Sequence, residues 1–327
     1  MTLAQFVPGY DPKSKDWAHH DWSREEARKR ILRGQTKGLD PSVINVMTRA
    51  CLKAKDGYTF TIVDYAAIEA RVNAWGAADM AALELFRNGG DPYATLAGRL
   101  FGVPAETCQK GGENEKWRQL GKIGELGLGY GMGKDLFHVT AEKGGTNWGD
   151  IAPLDAETCV EIWRGLHRPI VNFWYALQDA AAQASEGGEA RVGPTEWFRR
   201  GDAVRCWLQS DRPIVYHGMH LRQEKGQRRP GLVYKTIKGL ERTWGGKLCE
   251  NVVQALSRDV MAEGLVKCER AGLRPVLHVH DEIVCEVKKR HARDALELQE
   301  YLMCEIPTWA KGLPINVEGF IAARYRK

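Results

Sequence analysis

The chain has 327 residues, of which 43% are hydrophobic and 27% charged, and its 47 Lys and Arg against 42 Asp and Glu leave a net charge of +5. Such a length buries a substantial core in one or two domains, or in one domain with a large insertion, and the mild positive balance leans only slightly toward polyanionic partners. No apolar run reaches the roughly 18 residues of a membrane span, and the start "MTLAQFVPGYDPKSKD" lacks the basic-then-apolar order of a secretory signal, so a cytoplasmic protein away from the membrane is expected. The eight cysteines form no CxxC pair and read as reduced, packed thiols. His217/His220 and His278/His280 have no companion Cys or His at zinc spacing.

In chain order, residues 1 to 56 form a leader in which Ser23 and Glu26 make a capping box for a charged helix ended by Gly34. "GYTFTIVDY" then reads as a strand and "AAIEARVNAWGA" as the helix after it, which puts Asp64 where an apolar β run gives way to a helix. Glycine-rich stretches at 111 to 112, 144 to 149 and 187 to 188 separate helices across the middle third.

In "WRQLGKIGELGLGYG", Arg118, Lys122, Leu126 and Tyr130 recur every four residues and fall on one helical face. Two cations, an apolar side chain and a phenol on one stripe suit a triphosphate, a sugar and a base, although a solvated basic face accounts for the cations alone. The glycines at 121, 124, 127, 129 and 131 each cost about 1 kcal/mol relative to Ala in a helix, so some compensation is expected, either close approach to a ligand or a helix that must move.

"VRCWLQSDRPIVYHGMHLR" reads as two strands. From Arg222 to Arg242, seven basic residues, Arg228 and Arg229 among them, stand against Glu224 and Glu241; this stretch reads equally as a phosphate track or a solvated loop. A long helix, "GGKLCENVVQALSRDVMAEGLVKCERAG", precedes "LHVHDEIVCEV", whose period-two alternation makes a hairpin with His280 and Asp281 at a tight turn. A helix, "KRHARDALELQEYLMCE", and a strand near "LPINVEGF" close the chain. Two aspartates, Asp64 and Asp281, on neighbouring strands offer oxygen donors suited to Mg²⁺, and an ion pair of that kind suits phosphoryl transfer.

Together "DYAAIEARV", "RQLGKIGELGLGYG" and "VHDEIVCEV" resemble motifs A, B and C of the family A, polymerase I-like, DNA polymerases, in order and at fitting separations. The likeness covers roughly residues 57 to 327, is nearest to the phage and prophage form, and includes "FRNGGDPYATLAGRLFGVP". It implies an α+β right-hand palm built on an antiparallel sheet, with palm segments at 57–77 and 196–327 and a mostly helical fingers insertion at 78–195. It implies a DNA-directed DNA polymerase that adds deoxynucleotides to a primer end, with two Mg²⁺ ions, or Mn²⁺ in their place, at Asp64 and Asp281.

Carried over residue by residue, Glu282 is an auxiliary carboxylate near the primer end, and Arg118 and Lys122 grip the triphosphate, Lys122 with a catalytic part. Tyr130 lies near the nascent base pair and Glu69 crowds the ribose 2′ position. Gln254 and His280 match positions beside the duplex, to which Arg228 and Arg229 add charge. Leu126 replaces the aromatic residue of many cellular relatives, Tyr93 replaces a phosphate-contacting histidine, and Asn251 is one position off the usual spacing to Gln254. A thumb and an exonuclease domain are not visible in the residues before Asp64, which suggests either a separate subunit carrying them or a reduced enzyme active alone. The competing reading is a noncatalytic, polymerase-derived module that binds DNA or a replication partner. Clustered carboxylates that repel each other without a cation weigh against it.

Overall fold

The computed structural model describes residues 51–223 and 230–326. The leader helix expected around Ser23 and Glu26, and the basic pair Arg228 and Arg229, lie outside those residues. The described parts of Met1–Asp64, Gly264–Cys304 and Val317–Lys327 form one compact unit, and Tyr65–Glu263 with Glu305–Asn316 forms a second. Strands and helices mix in an α+β architecture whose registered strand pairs are antiparallel.

The first unit is organised by strand β1 (Tyr58–Tyr65), where five consecutive residues are buried. Strict alternation fails there because β1 is an inner strand. The sheet order is β11, β1, β10, β9, with β9 at Pro275–Val279, β10 at Glu282–Lys288 and β11 at Val317–Ala322. A strand covered on both faces reads as a continuous apolar run. Phe60, Ile62 and Val284 face one way and pack with Ala54 and Tyr325.

The opposite face of that sheet carries a buried amide. Gln299, from the helix Ala292–Cys304, is fully buried. Its Oε1 accepts from Thr61 Oγ1 at 2.6 Å, and its Nε2 donates to the Ile283 carbonyl at 3.0 Å. One side chain thus ties β1 to β10 through bonds that water cannot replace.

The second unit opens with helices whose starts are legible in the chain. Here α1 is Ile68–Gly76, α2 is Met80–Arg87 and α3 is Pro92–Phe101. Asp79 caps α2 by accepting from Ala82 N, and Asp91 caps α3 by accepting from Tyr93 N and Ala94 N, with Pro92 pre-set at the first turn. Gly102, at φ 67, ends α3 in the left-handed conformation.

Next come α4 (Glu115–Leu128), α5 (Lys134–Lys143), α6 (Ala156–Leu166) and α7 (Arg168–Ser185). The glycines of α4 are explained by its neighbour. A Cβ on Gly121 would stand 2.1 Å from the Tyr93 carbonyl oxygen, and one on Gly124 would stand 2.6 Å from Leu96. At these two positions the compensation is close packing on α3, in place of the ligand approach or helix motion expected from the sequence.

The described residues of 190–222 and 231–243 form two antiparallel sheets. Their strands are β2 (Ala190–Val192), β3 (Thr195–Arg200), β4 (Ala203–Leu208) and β5 (Arg212–His217), then β6 (His220–Arg222), β7 (Gly231–Thr236) and β8 (Gly239–Thr243). The described part of the basic stretch is therefore a hairpin, not a loop. Helix α8 (Gly245–Arg270) follows and contributes residues to both units.

The Gln299 bonds give a direct expectation. Gln299→Leu leaves the Thr61 hydroxyl and the Ile283 carbonyl without this partner, and should lower unfolding stability by ~1–3 kcal/mol in urea titration. An unchanged midpoint would show that the amide does not tie the two strands.

Candidate active site

In the first unit the hairpin of β9 and β10 closes on the pair Val279 and Glu282, leaving His280 and Asp281 as a two-residue turn. Ladder pairing of β1 with β10 sets Asp64 directly across from Glu282. Directly opposed residues hold their Cβ atoms ~4.5–5.5 Å apart, so Asp64 and Glu282 stand side by side at one end of the sheet, with Asp281 in the adjoining turn. Although over 200 residues separate the motifs, the register brings them together as the sequence suggested.

Glu282 is 1% exposed. A buried carboxylate is expensive unless its charge is compensated, so this position demands a specific environment. His280 holds φ 54, the left-handed region that a two-residue hairpin turn requires. A residue other than glycine in that region costs about 1–2 kcal/mol. The strain falls on the residue that aims Asp281.

Among the described residues, no group of three or more His, Cys, Asp or Glu is arranged to hold a metal ion. Asp64, Asp281 and Glu282 offer hard carboxylate oxygens at this sheet end. Such a set fits Mg²⁺, which binds through one or two carboxylates and completes its octahedron with water and substrate oxygens.

In the second unit, α4 presents Arg118, Lys122 and Leu126 along one face. Lys122 is exposed and Leu126 is 46% exposed, which is costly for an apolar side chain with nothing to cover. Tyr130 lies just past the helix end, where i→i+3 backbone bonds tighten the last turn. Its placement is secured through Gly129, whose carbonyl accepts from Asn73 Nδ2 at 3.0 Å and from Trp174 Nε1 at 2.9 Å. Cys249 Sγ donates in turn to Asn73 Oδ1 at 3.3 Å.

Tyr130 Oη donates to Glu69 Oε2 at 2.8 Å. Burial, and then the Glu69 carboxylate, push the phenol well above its ordinary range. Tyr130 therefore remains a donor and keeps the Glu69 carboxylate in one orientation. Arg118 is also held: its Nε lies 2.5 Å from Asp91 Oδ2, and its guanidinium sits 5.0 Å from the centre of the Tyr93 ring. Asp91 thus caps α3 and orients Arg118 at once.

Gln254 is exposed on α8, with its amide 3.5 Å from Glu250, one turn earlier. Asn251 donates from Nδ2 to Tyr216 Oη at 3.0 Å, so it serves the interior of this unit. Sequence reasoning missed Asp91, Asn73 and Trp174. Asp91 carries a readable signal as the residue before Pro92 at a helix start; the other two carry none.

A polymerase-type fold, with a carboxylate-bearing antiparallel sheet and a cation-bearing helix, is the class that these features define. Comparison with solved structures agrees: the polymerase domain of Pol1 from M. smegmatis, in complex with DNA primer-template and dNTP, matches with a TM-score of 0.54 and 17% identity, over 89% of this chain and 44% of that one. The DNA polymerase of Bacillus phage SP02 is 35% identical over 298 residues, 89% of this chain and 44% of the phage protein. The DNA polymerase I of Aquifex aeolicus is 26% identical over 90% of this chain and 44% of its own length. The thermostable DNA polymerase I of Thermus aquaticus is 23% identical over 87% of this chain and 30% of its own. No protein-family model matches the chain. By these relationships the chain is similar to DNA polymerases of the polymerase I kind, and it spans less than half the length of the relatives described.

The turn geometry makes its own prediction. His280→Val, a β-branched residue forced to positive φ, should be less stable than His280→Gly by ~1–2 kcal/mol in urea midpoints. Equal midpoints for the two variants would show that the turn is not left-handed at this position.

Proposed function

We propose that the chain carries template-directed DNA polymerase activity, adding deoxynucleotides to a primer 3′ end by two-metal-ion phosphoryl transfer. The observation that carries this reading is the register that sets Glu282 across from Asp64, with Asp281 in the adjoining turn. Relatives named DNA polymerase, and a neighbour solved with primer-template and dNTP, support the same substrates for this chain.

Each residue then has a task. Asp64 and Asp281 would hold Mg²⁺, or Mn²⁺ in its place, and Glu282 adds negative charge beside them. Bound there, the metal lowers the pKa of the primer hydroxyl and offsets charge on the transferring phosphate. Lys122 and Arg118 bind triphosphate oxygens, and Lys122 stabilises the charge that leaves with pyrophosphate. Arg118 arrives already oriented by Asp91, and Tyr93 supports its guanidinium from below.

Leu126 lies against the sugar. Glu69, fixed by Tyr130, occupies the space that a ribose 2′-hydroxyl would need, which selects deoxynucleotides. Gln254, His280, Arg228 and Arg229 contact duplex DNA. A separate polypeptide carrying a thumb or an exonuclease is a partner that this reading admits. Among the described residues no helix is long and apolar enough to cross a membrane.

Primer extension with Mg²⁺ and deoxynucleotides tests the reading. Asp64→Ala and Asp281→Ala should each cut turnover by at least about a hundredfold, in line with losing a preorganised electrostatic contact, while most DNA binding remains. Turnover retained in either variant would sink the assignment, and extension by the purified chain alone would remove the need for a second subunit.

A further inference from the structure

His167 joins α6 to α7, and its ring stands 4.7 Å from that of Trp163. Its Nδ1 lies 2.9 Å from Asp79 Oδ2 and its Nε2 lies 3.5 Å from Glu125 Oε1. Asp79 caps the start of α2 with its other oxygen, whereas Glu125 belongs to α4, the helix that carries Arg118 and Lys122. The three side chains are only 3%, 17% and 10% exposed for Asp79, His167 and Glu125.

Glu125 and His167 border a cavity of about 50 Å³ whose remaining walls, including Ala70, Asn73, Leu96, Trp163 and Ile170, are uncharged. A neutral imidazole donates from one nitrogen only, so it would turn a lone pair toward one of the two carboxylates; the imidazolium donates to both. Burial works against the charge, but the hydrogen bonds to Asp79 and Glu125 outweigh it and push His167 up to about 9. Burial also tends to raise Asp79, yet the His167 bond and the α2 cap bring it below its usual value.

We propose that His167 is a positioning residue for the nucleotide-binding helix: as an imidazolium it ties Glu125 of α4 to the capped start of α2, and so holds the face bearing Arg118 and Lys122 in place for an incoming triphosphate. This rests on the polymerase reading above. Neither motif comparison nor the carboxylate hairpin requires such a tether. It makes α4 part of a braced set of helices, linked at Glu125 by charge and at Gly121 and Gly124 by packing on α3.

The pH dependence follows from the direction of each shift. His167 is raised from 6.5 to about 9, so its contribution is complete below pH 6.5 and is lost as pH climbs through about 9. Asp79 is lowered from 3.8, so its contribution is present above that value and is lost only as pH falls through its lower folded value. The tether is therefore intact at neutral pH and fails on the alkaline side.

The test uses the full chain bound to a dideoxy-terminated primer-template with Mg²⁺, and compares wild type with Glu125→Gln and His167→Gln. Affinity for the matching dNTP is read from pH 7 to pH 10, and the His167 ring is titrated by NMR, assigned through His167→Gln. Wild type should lose about tenfold in dNTP affinity across pH 9, the scale of one charge-assisted hydrogen bond. Both variants should already show that loss at pH 7 and should lack the alkaline step, and in Glu125→Gln the His167 titration should move toward neutral pH. A merely structural role would lower thermal stability without removing the alkaline step. Wild-type dNTP binding with an unchanged pH profile in Glu125→Gln, or a His167 titration near 6.5, would overturn the tether and leave the polymerase reading standing. Failure of wild type both to bind dNTP and to extend an unblocked primer would overturn that reading and the tether with it.

Discussion

The register between β1 and β10 is the constraint on which the carboxylate site depends. Side chains alternate along a strand, so a slip of β1 by one residue would turn Asp64 to the face opposite Glu282. Two interactions oppose a slip. Ile62 and Val284 pair across the strands in one apolar cluster, and Thr61 and Ile283 are joined on the other face by the Gln299 amide. Apolar burial and a satisfied buried amide specify the same alignment, and the alignment places three carboxylates at one sheet end. Neighbouring carboxylates repel each other, and the cation proposed for this site would offset that repulsion.

The second unit follows a different logic, in which the working side chains are held by neighbours before any ligand arrives. Arg118 is oriented by Asp91, Glu69 by Tyr130, and the end of α4 by Asn73 and Trp174. Preorganised groups lose less freedom on binding, so more of their interaction energy appears as affinity or rate. Leu126 and Lys122, by contrast, remain exposed on the same helix. The helix thus combines fixed and open positions.

Much of this was readable from the chain. The alternation in "LHVHDEIVCEV" located the hairpin and its turn, the apolar run before Asp64 located a strand, and the four-residue spacing located the α4 face. What stayed hidden was set by contacts across long sequence separations. Asp91 meets Arg118 and Asp79 meets His167 at separations of 27 and 88 residues, and local periodicity carries no trace of either pairing. The glycines of α4 show the same limit: their cost was visible, but its compensation lay in the backbone of α3 at Tyr93. The strands β7 and β8 were obscured because charge dominated the reading of their segment, and the stretch read as two strands before it holds three, β4 to β6.

The central claim is that Asp64 and Asp281 together serve the proposed divalent-metal centre, and metal-directed backbone cleavage tests it most directly. Fe²⁺ placed in the Mg²⁺ site of the chain bound to primer-template and dNTP, then activated with ascorbate and peroxide, cuts the backbone beside the ion. The account predicts cuts near both residue 64 and residue 281, suppressed by Mg²⁺ and abolished by Asp64→Asn. Cleavage confined to one motif, or unchanged in that variant, would contradict it.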